Sequence, residues 1–171
     1  MKTYAVGELN EILRKHDLWL RNDPSGVCAD LRSANLRSAN LYGANLYGAD
    51  HLGEAKNVNY PIACPEKGSF IGFKKVRNGY IVELEILADA LRSSATSRKC
   101  RCSHARVISI TDINGNPANI DVVYSNHDSS FGYKVGETVA VNNFDTNRWN
   151  ECAPGIHFFI TRQEAVDYNM F

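Results

Sequence analysis

The densest chemistry in the chain lies at residues 92–106, RSSATSRKCRCSHAR. Arg92, Arg98, Lys99, Arg101 and Arg106 stand there without one acidic residue, in a chain whose formal net charge is zero. Guanidinium forks, ammonium groups and hydroxyls hold phosphate or carboxylate oxygens through charge-assisted hydrogen bonds. The expected ligand-binding set is therefore Arg92, Ser93, Ser94, Lys99 and Arg101, with His157 from a later strand orienting the bound anion. The competing reading is a solvated basic edge strand, whose charges keep sheets from pairing with one another. As one strand, residues 99–106 put Lys99, Arg101 and Ser103 on one face and Cys100, Cys102 and His104 on the other.

Thiols offer two further chemistries. Zinc takes about four tetrahedral nitrogen or sulfur ligands, and Cys64, Cys100, Cys102 and Cys152 are the alternative metal set. No Cys-x-x-Cys pair occurs, so no metal and no cofactor is implied. A nucleophilic thiolate needs a base and a lowered pKa. Cys100 lies among cations, and Cys152 shares the stretch ECAPGIHF with His157. Cys100 or Cys152, with His157 or His104 as base, is the catalytic alternative. Neither a phosphate loop nor a nucleophile elbow is present, and the reading leans away from an enzyme.

These residues need a frame. Val6, Leu9, Ile12 and Leu13 fall on one stripe of an amphipathic helix over residues 5–20, which ends before the breakers Asn22-Asp23-Pro24-Ser25-Gly26. Then a five-residue phrase repeats: Leu31, Leu36, Leu41 and Leu46 recur in register, with His51 in the fifth slot and Ala29, Ala34, Ala39, Ala44 and Ala49 two places earlier. A period of five fits neither a helix nor a plain strand. It fits a chain that turns a corner every five residues, with Leu filling the centre and Asn, Asp, Ser or Gly at the corners. Tyr42 and Tyr47 follow their leucines and form a contact patch, against the rest of the chain or a partner.

The period fades over residues 53–63, and Pro61 and Pro65 mark a boundary. Beyond it, residues 69–76 and 79–87 read as a hairpin around Asn78-Gly79. Residues 100–110, 119–125, 137–142 and 155–160 read as strands, and residues 112–117 as a turn. Thr161 and Glu164 form a capping box that opens a last short helix. The expected domains are 1–27 (helix and turn), 28–57 (repeat) and 60–171, a β-rich α+β domain.

The phrase A-(D/N)-L-x-x over residues 28–52 resembles the motif of the pentapeptide-repeat family. The resemblance implies a right-handed quadrilateral β-helix of about one coil, capped by the N-terminal helix, in a mainly β protein. The stretches CPEKGSFIGFKK, LRSSATSRKCRCSHARV and WNECAPGIHFFITRQEAV are similar to a C-terminal domain of uncharacterised function found behind such repeats in phage-type proteins. That likeness implies a boundary near residue 60 and no mechanism.

Hydrophobic residues at 44% and charged residues at 22% let the chain bury a core. Nineteen basic against nineteen acidic residues argue against a global nucleic-acid field, and one coil is too short to imitate a duplex, so DNA is not expected as a partner. No apolar run spans a bilayer, and the charged N-terminus does not read as a secretion signal. A cytoplasmic setting with five reduced thiols is expected, the host cytoplasm if the gene is phage-borne. The expected function is a non-catalytic binding module for a small, nucleotide-like anion or a host protein. Alternatives are a cysteine/histidine-dependent enzyme and a structural virion or assembly protein, which would self-associate as a homo-oligomer.

Overall fold

The computed structural model describes residues 2–36, 39, 41, 44–56, 58 and 60–169. Arg37, Ser38, Asn40, Tyr42 and Gly43 of the repeat lie outside the described residues. The chain divides into two compact units, Met1–Ile62 with Ala95–Ser97, and Ala63–Ser94 with Arg98–Phe171. It is mainly β: eleven short strands, two α-helices and two single-turn 3-10 helices among the described residues, with every sheet open. No helix among the described residues is long and apolar enough to cross a membrane.

In the first unit, β1 (Lys2–Thr3) pairs in parallel with β2 (Ala34–Asn35), and α1 (Val6–Leu20) lies between them in sequence. The Glu8 carboxylate accepts from the Ala5 amide at 2.9 Å, which satisfies one of the free N–H groups that open α1. Leu9 and His16 are the buried residues of the helix, and His16 stacks on Trp19 with ring centroids 5.4 Å apart. His16 Nδ1 accepts from the Ala29 amide at 3.2 Å, so the first repeat is tied to the helix through its backbone. The turn before it runs so close to α1 that a Cβ on Gly26 would fall 2.2 Å from the Trp19 nitrogen.

Leu31, Leu36, Leu41 and Leu46 are all at most 3% exposed, and Ala29 and Ala34 are buried beside them. Asp30 bridges in parallel to Asp50, twenty residues on, but Asn35 bridges to Lys56, twenty-one residues on. The period slips by one at His51. His51 takes a left-handed backbone, φ 56°, while Leu52 goes into the core in its place. This corrects the placing of His51 in the fifth leucine slot. An imidazole that can hydrogen-bond at the surface is left there, with Nδ1 3.0 Å from Asp30 Oδ1 and Nε2 2.9 Å from Arg32 Nη2.

The second unit carries β3 (Phe70–Lys75), β4 (Ile81–Ile86), β5 (Arg92–Ser94), β6 (Cys100–Cys102), β7 (His104–Thr111), β8 (Val122–Tyr124), β9 (Gly132–Lys134), β10 (Thr138–Ala140), β11 (Ile156–Phe158) and α2 (Arg162–Asp167). The β3–β4 hairpin turns at Asn78 and Gly79, both at positive φ, and extends through β7 to β10 as an antiparallel sheet. A second sheet runs β11–β6–β5, and β8 pairs with β9. Phe73 and Phe159 exchange two backbone bonds of 2.8 Å, which lock β3 to the end of β11. At that crossing Gly72 is needed, because a Cβ there would stand 2.6 Å from the Phe158 ring. α2 is opened by Thr161, whose hydroxyl accepts from the Glu164 amide at 3.2 Å while Glu164 accepts from the Thr161 amide at 3.0 Å.

Residues 99–106 are not one strand. Ser103 breaks them into β6 and β7, which belong to different sheets, because its amide and hydroxyl both bond to the Leu91 backbone, at 2.9 and 3.0 Å. β6 is the middle strand of its sheet, and Cys100, Arg101 and Cys102 are all buried. A solvated edge strand is therefore not what this basic stretch makes. β9 was not expected from the sequence, being three residues between turns.

Candidate functional site

A cavity of about 430 Å³ opens in the second unit. β3 supplies Lys74 and Lys75, β9 supplies Tyr133, and β11 supplies Ile156 and His157. The loops 125–131 and 141–155 close the sides with Asn126, Phe131 and Cys152, and Lys99 enters from the start of β6. Three lysines thus share the wall with one acid, Asp128. That carboxylate is already engaged by the Ser130 amide and hydroxyl, at 2.8 and 2.6 Å, which hold its pKa below the usual range.

Like Lys75 and Lys99, Lys74 is half-buried. Burial lowers its pKa to about 8, the Cys102 thiol works the other way, and the charge of Lys99 lowers it further. Its Nζ donates to the His157 carbonyl at 3.2 Å. Lys75 donates to the carbonyls of Val166 and Tyr168 at 2.8 and 3.1 Å, which ties α2 to β3. Lys99 Nζ stands 3.9 Å from Cys152 Sγ.

Burial also holds the His157 pKa down at about 4; the Glu151 carbonyl pulls it up, and Lys74, Lys99 and Arg101 push it down. The imidazole is thus neutral near pH 7. Its Nε2 lies 3.1 Å from the Glu151 carbonyl, an acceptor, so the proton is assigned to Nε2 and Nδ1 is left as an acceptor. Tyr133 is 1% exposed, packs at 5.3 Å from the Phe131 ring, and has its pKa raised by burial. It lines the cavity, and its hydroxyl is not one of the fully buried polar atoms without a partner, which among the described residues are His16 Nε2 and Ser93 Oγ.

The six residues expected to hold an anion do not converge. Arg92 donates to the carbonyls of Ala90, Pro65, Gly68, Leu87 and Ala88 at 2.8–3.3 Å and lies over the Phe70 ring. It is a staple for two turns. Ser93 and Ser94 are buried in β5, where Ser94 Oγ accepts from the Ala63 amide at 2.7 Å. Arg101 is 2% exposed and reaches the carbonyls of Asp145, Pro154 and Asn147, fixing the loop that walls the cavity. These cations meet backbone oxygens because buried carbonyls at turns need donors. Of the set, Lys99 and His157 alone stand on the cavity.

The thiols divide in the same way. Cys64 and Cys100 share a hydrogen bond and are buried; Cys100 is pushed far up by that bond and by burial. Cys102 is raised to about 12 by burial and donates to the Ile156 carbonyl. The cations near Cys100 therefore do not make it a nucleophile, since they spend their charge on carbonyls and salt bridges, such as Arg98 to Glu164 at 2.6 Å. Cys152 is exposed on the cavity with His157. His104 instead bonds Asp89 and Ser103 on β7. Among the described residues no three His, Cys, Asp or Glu side chains cluster as metal ligands, and Cys64, Cys100, Cys102 and Cys152 do not gather around one point. Lys74, Lys75 and Tyr133 were missed in the sequence. Two adjacent lysines closing the strand FIGFKK were the available signal.

Residues 60–165, which hold nearly all of this cavity, match a family described as of unknown function, DUF5758. Residues 27–50 match pentapeptide repeats. Among curated proteins, uncharacterized protein L223 of Acanthamoeba polyphaga mimivirus is 41% identical over 96 residues, which are 52% of this chain and 61% of that protein. The chain thus spans about three fifths of the relative's length. No solved structure matches.

Proposed function

The chain belongs to the family of unknown function DUF5758, and we propose that its C-terminal domain is a non-catalytic module that binds a small organic anion. The observation that carries this reading is the cavity itself: three lysines and Tyr133 line a space of about 430 Å³ whose single acid is engaged elsewhere. Ligand pockets typically occupy roughly 300–1,000 Å³ and combine apolar walls with a few convergent polar groups. Lys74 and Lys99 take the anionic head, and Phe131, Phe159 and Tyr133 cover the organic part. Arg101 positions the 145–154 loop and touches no ligand. A nucleotide or a phosphorylated sugar has the charge and size for this space.

In this reading the repeat is a scaffold. The parallel bridges Asp30–Asp50 and Asn35–Lys56, and the four buried leucines, support a right-handed quadrilateral coil of about one turn with α1 packed on it. The mimivirus relative supports a virus-associated role, and five free thiols fit a reducing cytoplasm.

A thermal-shift series with nucleotides, sugar phosphates and short carboxylates tests the site. At least one class should raise the melting temperature with concentration, by about 2.7 kcal/mol of stability at a hundred times Kd. Lys74→Met and Lys99→Ala should weaken that rise, and Lys2→Ala should not. If no anion of any class shifts the wild type, the reading is wrong.

A further inference from the structure

We propose that Lys74 forms a reversible imine with the carbonyl carbon of a small anionic aldehyde or 2-oxo acid held in this cavity. The proposal rests on the anion-binding reading and names the class of anion. Its ground is that Lys74 and Tyr133 line the same cavity. Lys74 Nζ makes its hydrogen bond to the His157 carbonyl, which accepts from an ammonium or from a neutral amine alike, so the bond survives loss of a proton. Burial and the nearby Lys99 charge make that loss easy, and both are recognised ways of activating an amine. A group with a pKa of about 8, against the usual 10.5, is the free amine roughly 300 times more often at pH 7.

Tyr133 is the second group. Its side chain lines the same cavity, and burial keeps the proton on its hydroxyl. A tyrosine hydroxyl on a cavity wall can donate a hydrogen bond to an oxygen of the bound ligand. Lys75 does not compete, because the Val166 and Tyr168 carbonyls hold its ammonium. The carboxylate or phosphate of the ligand would meet Lys99, which lines the same cavity.

The step balances without a co-reactant. The Lys74 lone pair attacks the carbonyl carbon; the C–N bond forms and the π electrons move to oxygen. Tyr133 gives its proton to that oxygen and regains one from the nitrogen, leaving a neutral carbinolamine. A second such exchange breaks the C–O bond, so one water leaves, the C=N bond forms and Tyr133 ends unchanged. Nothing is oxidised or reduced.

The full chain is incubated at pH 7.5 with glyoxylate, or separately pyruvate, and sodium cyanoborohydride, then weighed intact and mapped by peptide mass spectrometry. One reductively fixed adduct is expected, on Lys74, forming at least tenfold faster than on any other lysine. Tyr133→Phe should slow it by about a hundredfold, the usual worth of a positioned acid–base group. Because the map is made on wild type, the test does not depend on whether Lys74→Arg folds; where that variant melts normally, it should lose the adduct. Adducts spread over exposed lysines, or centred on Lys75 or Lys99, overturn the proposal. Lactate and inorganic phosphate, which cannot form imines, separate the two readings. If they stabilise the protein but glyoxylate and pyruvate leave Lys74 unmodified, the imine fails and anion binding stands. If neither stabilisation nor adduct is found, both fail.

Discussion

Replacing Tyr133 by phenylalanine removes one oxygen and leaves the ring where it is, packed against Phe131 at 5.3 Å. The two effects of that change have opposite signs, which makes it a sharp test. In the free protein, about 1–3 kcal/mol is what a fully desolvated hydroxyl without a partner would cost, and the Tyr133 hydroxyl is not among such atoms. This residue is 1% exposed but lines the cavity, so part of that cost is relieved, and the expected gain in stability is between zero and about 1 kcal/mol. For a domain of this size that is a rise of up to about 4 °C. In the liganded protein the lost hydrogen bond to an anion is worth about 1.5–3 kcal/mol, roughly a 10- to 150-fold rise in Kd. Urea denaturation measures the first number, and titration with the best stabilising anion of the thermal-shift series measures the second. A variant destabilised by more than about 1 kcal/mol without ligand would show that the hydroxyl serves the fold. Unchanged affinity would show that no ligand oxygen meets it.

Leu31→Ala should destabilise the first unit by about 2–5 kcal/mol, since Leu31 is fully buried, while Arg32→Ala on the exposed neighbour should move it by less than about 0.5; chemical denaturation compares them. Gly72→Ala should cost about 1–3 kcal/mol through its clash with the Phe158 ring, read as a lower melting temperature, and a neutral result would remove the reason for glycine there. His157 is held near pKa 4 in the fold and titrates near 6.5 when unfolded, so the unfolded chain binds the extra proton and stability falls as pH drops from about 6.5 to 4; His157→Gln should flatten that slope. Lys74, lowered from 10.5 to about 8, makes stability rise with pH between those values, because the unfolded chain again holds more protons there; Lys74→Met should abolish the rise in pH-dependent urea midpoints.

Much of the frame was readable along the chain. The span of α1, the inward leucines, the Asn78-Gly79 turn and the Thr161 cap are each set by residues within a few positions of one another, and the structure has them at Val6–Leu20, residues 31–46, the β3–β4 turn and α2, although of the expected α1 stripe Leu9 is buried and Val6 is 80% exposed. The slip at His51 was not readable, because only the parallel partners twenty and twenty-one residues away reveal the extra residue. Of the six residues expected to hold an anion, Lys99 and His157 line the cavity, while Arg92 and Arg101 of the same charge run are spent on backbone carbonyls.

By itself the sequence determined where cations, thiols and apolar repeats stand along the chain, since period and turn chemistry are local properties. It could not determine what each charge would meet. Arg92 and Arg101 are spent on carbonyls of turns that are distant in sequence, whereas Lys74 and Tyr133, apart by 59 residues, face the same cavity. Packing decided that division. A buried backbone oxygen must find a donor, and a long guanidinium with five N–H groups reaches several at once, whereas an ammonium and a phenol line the cavity.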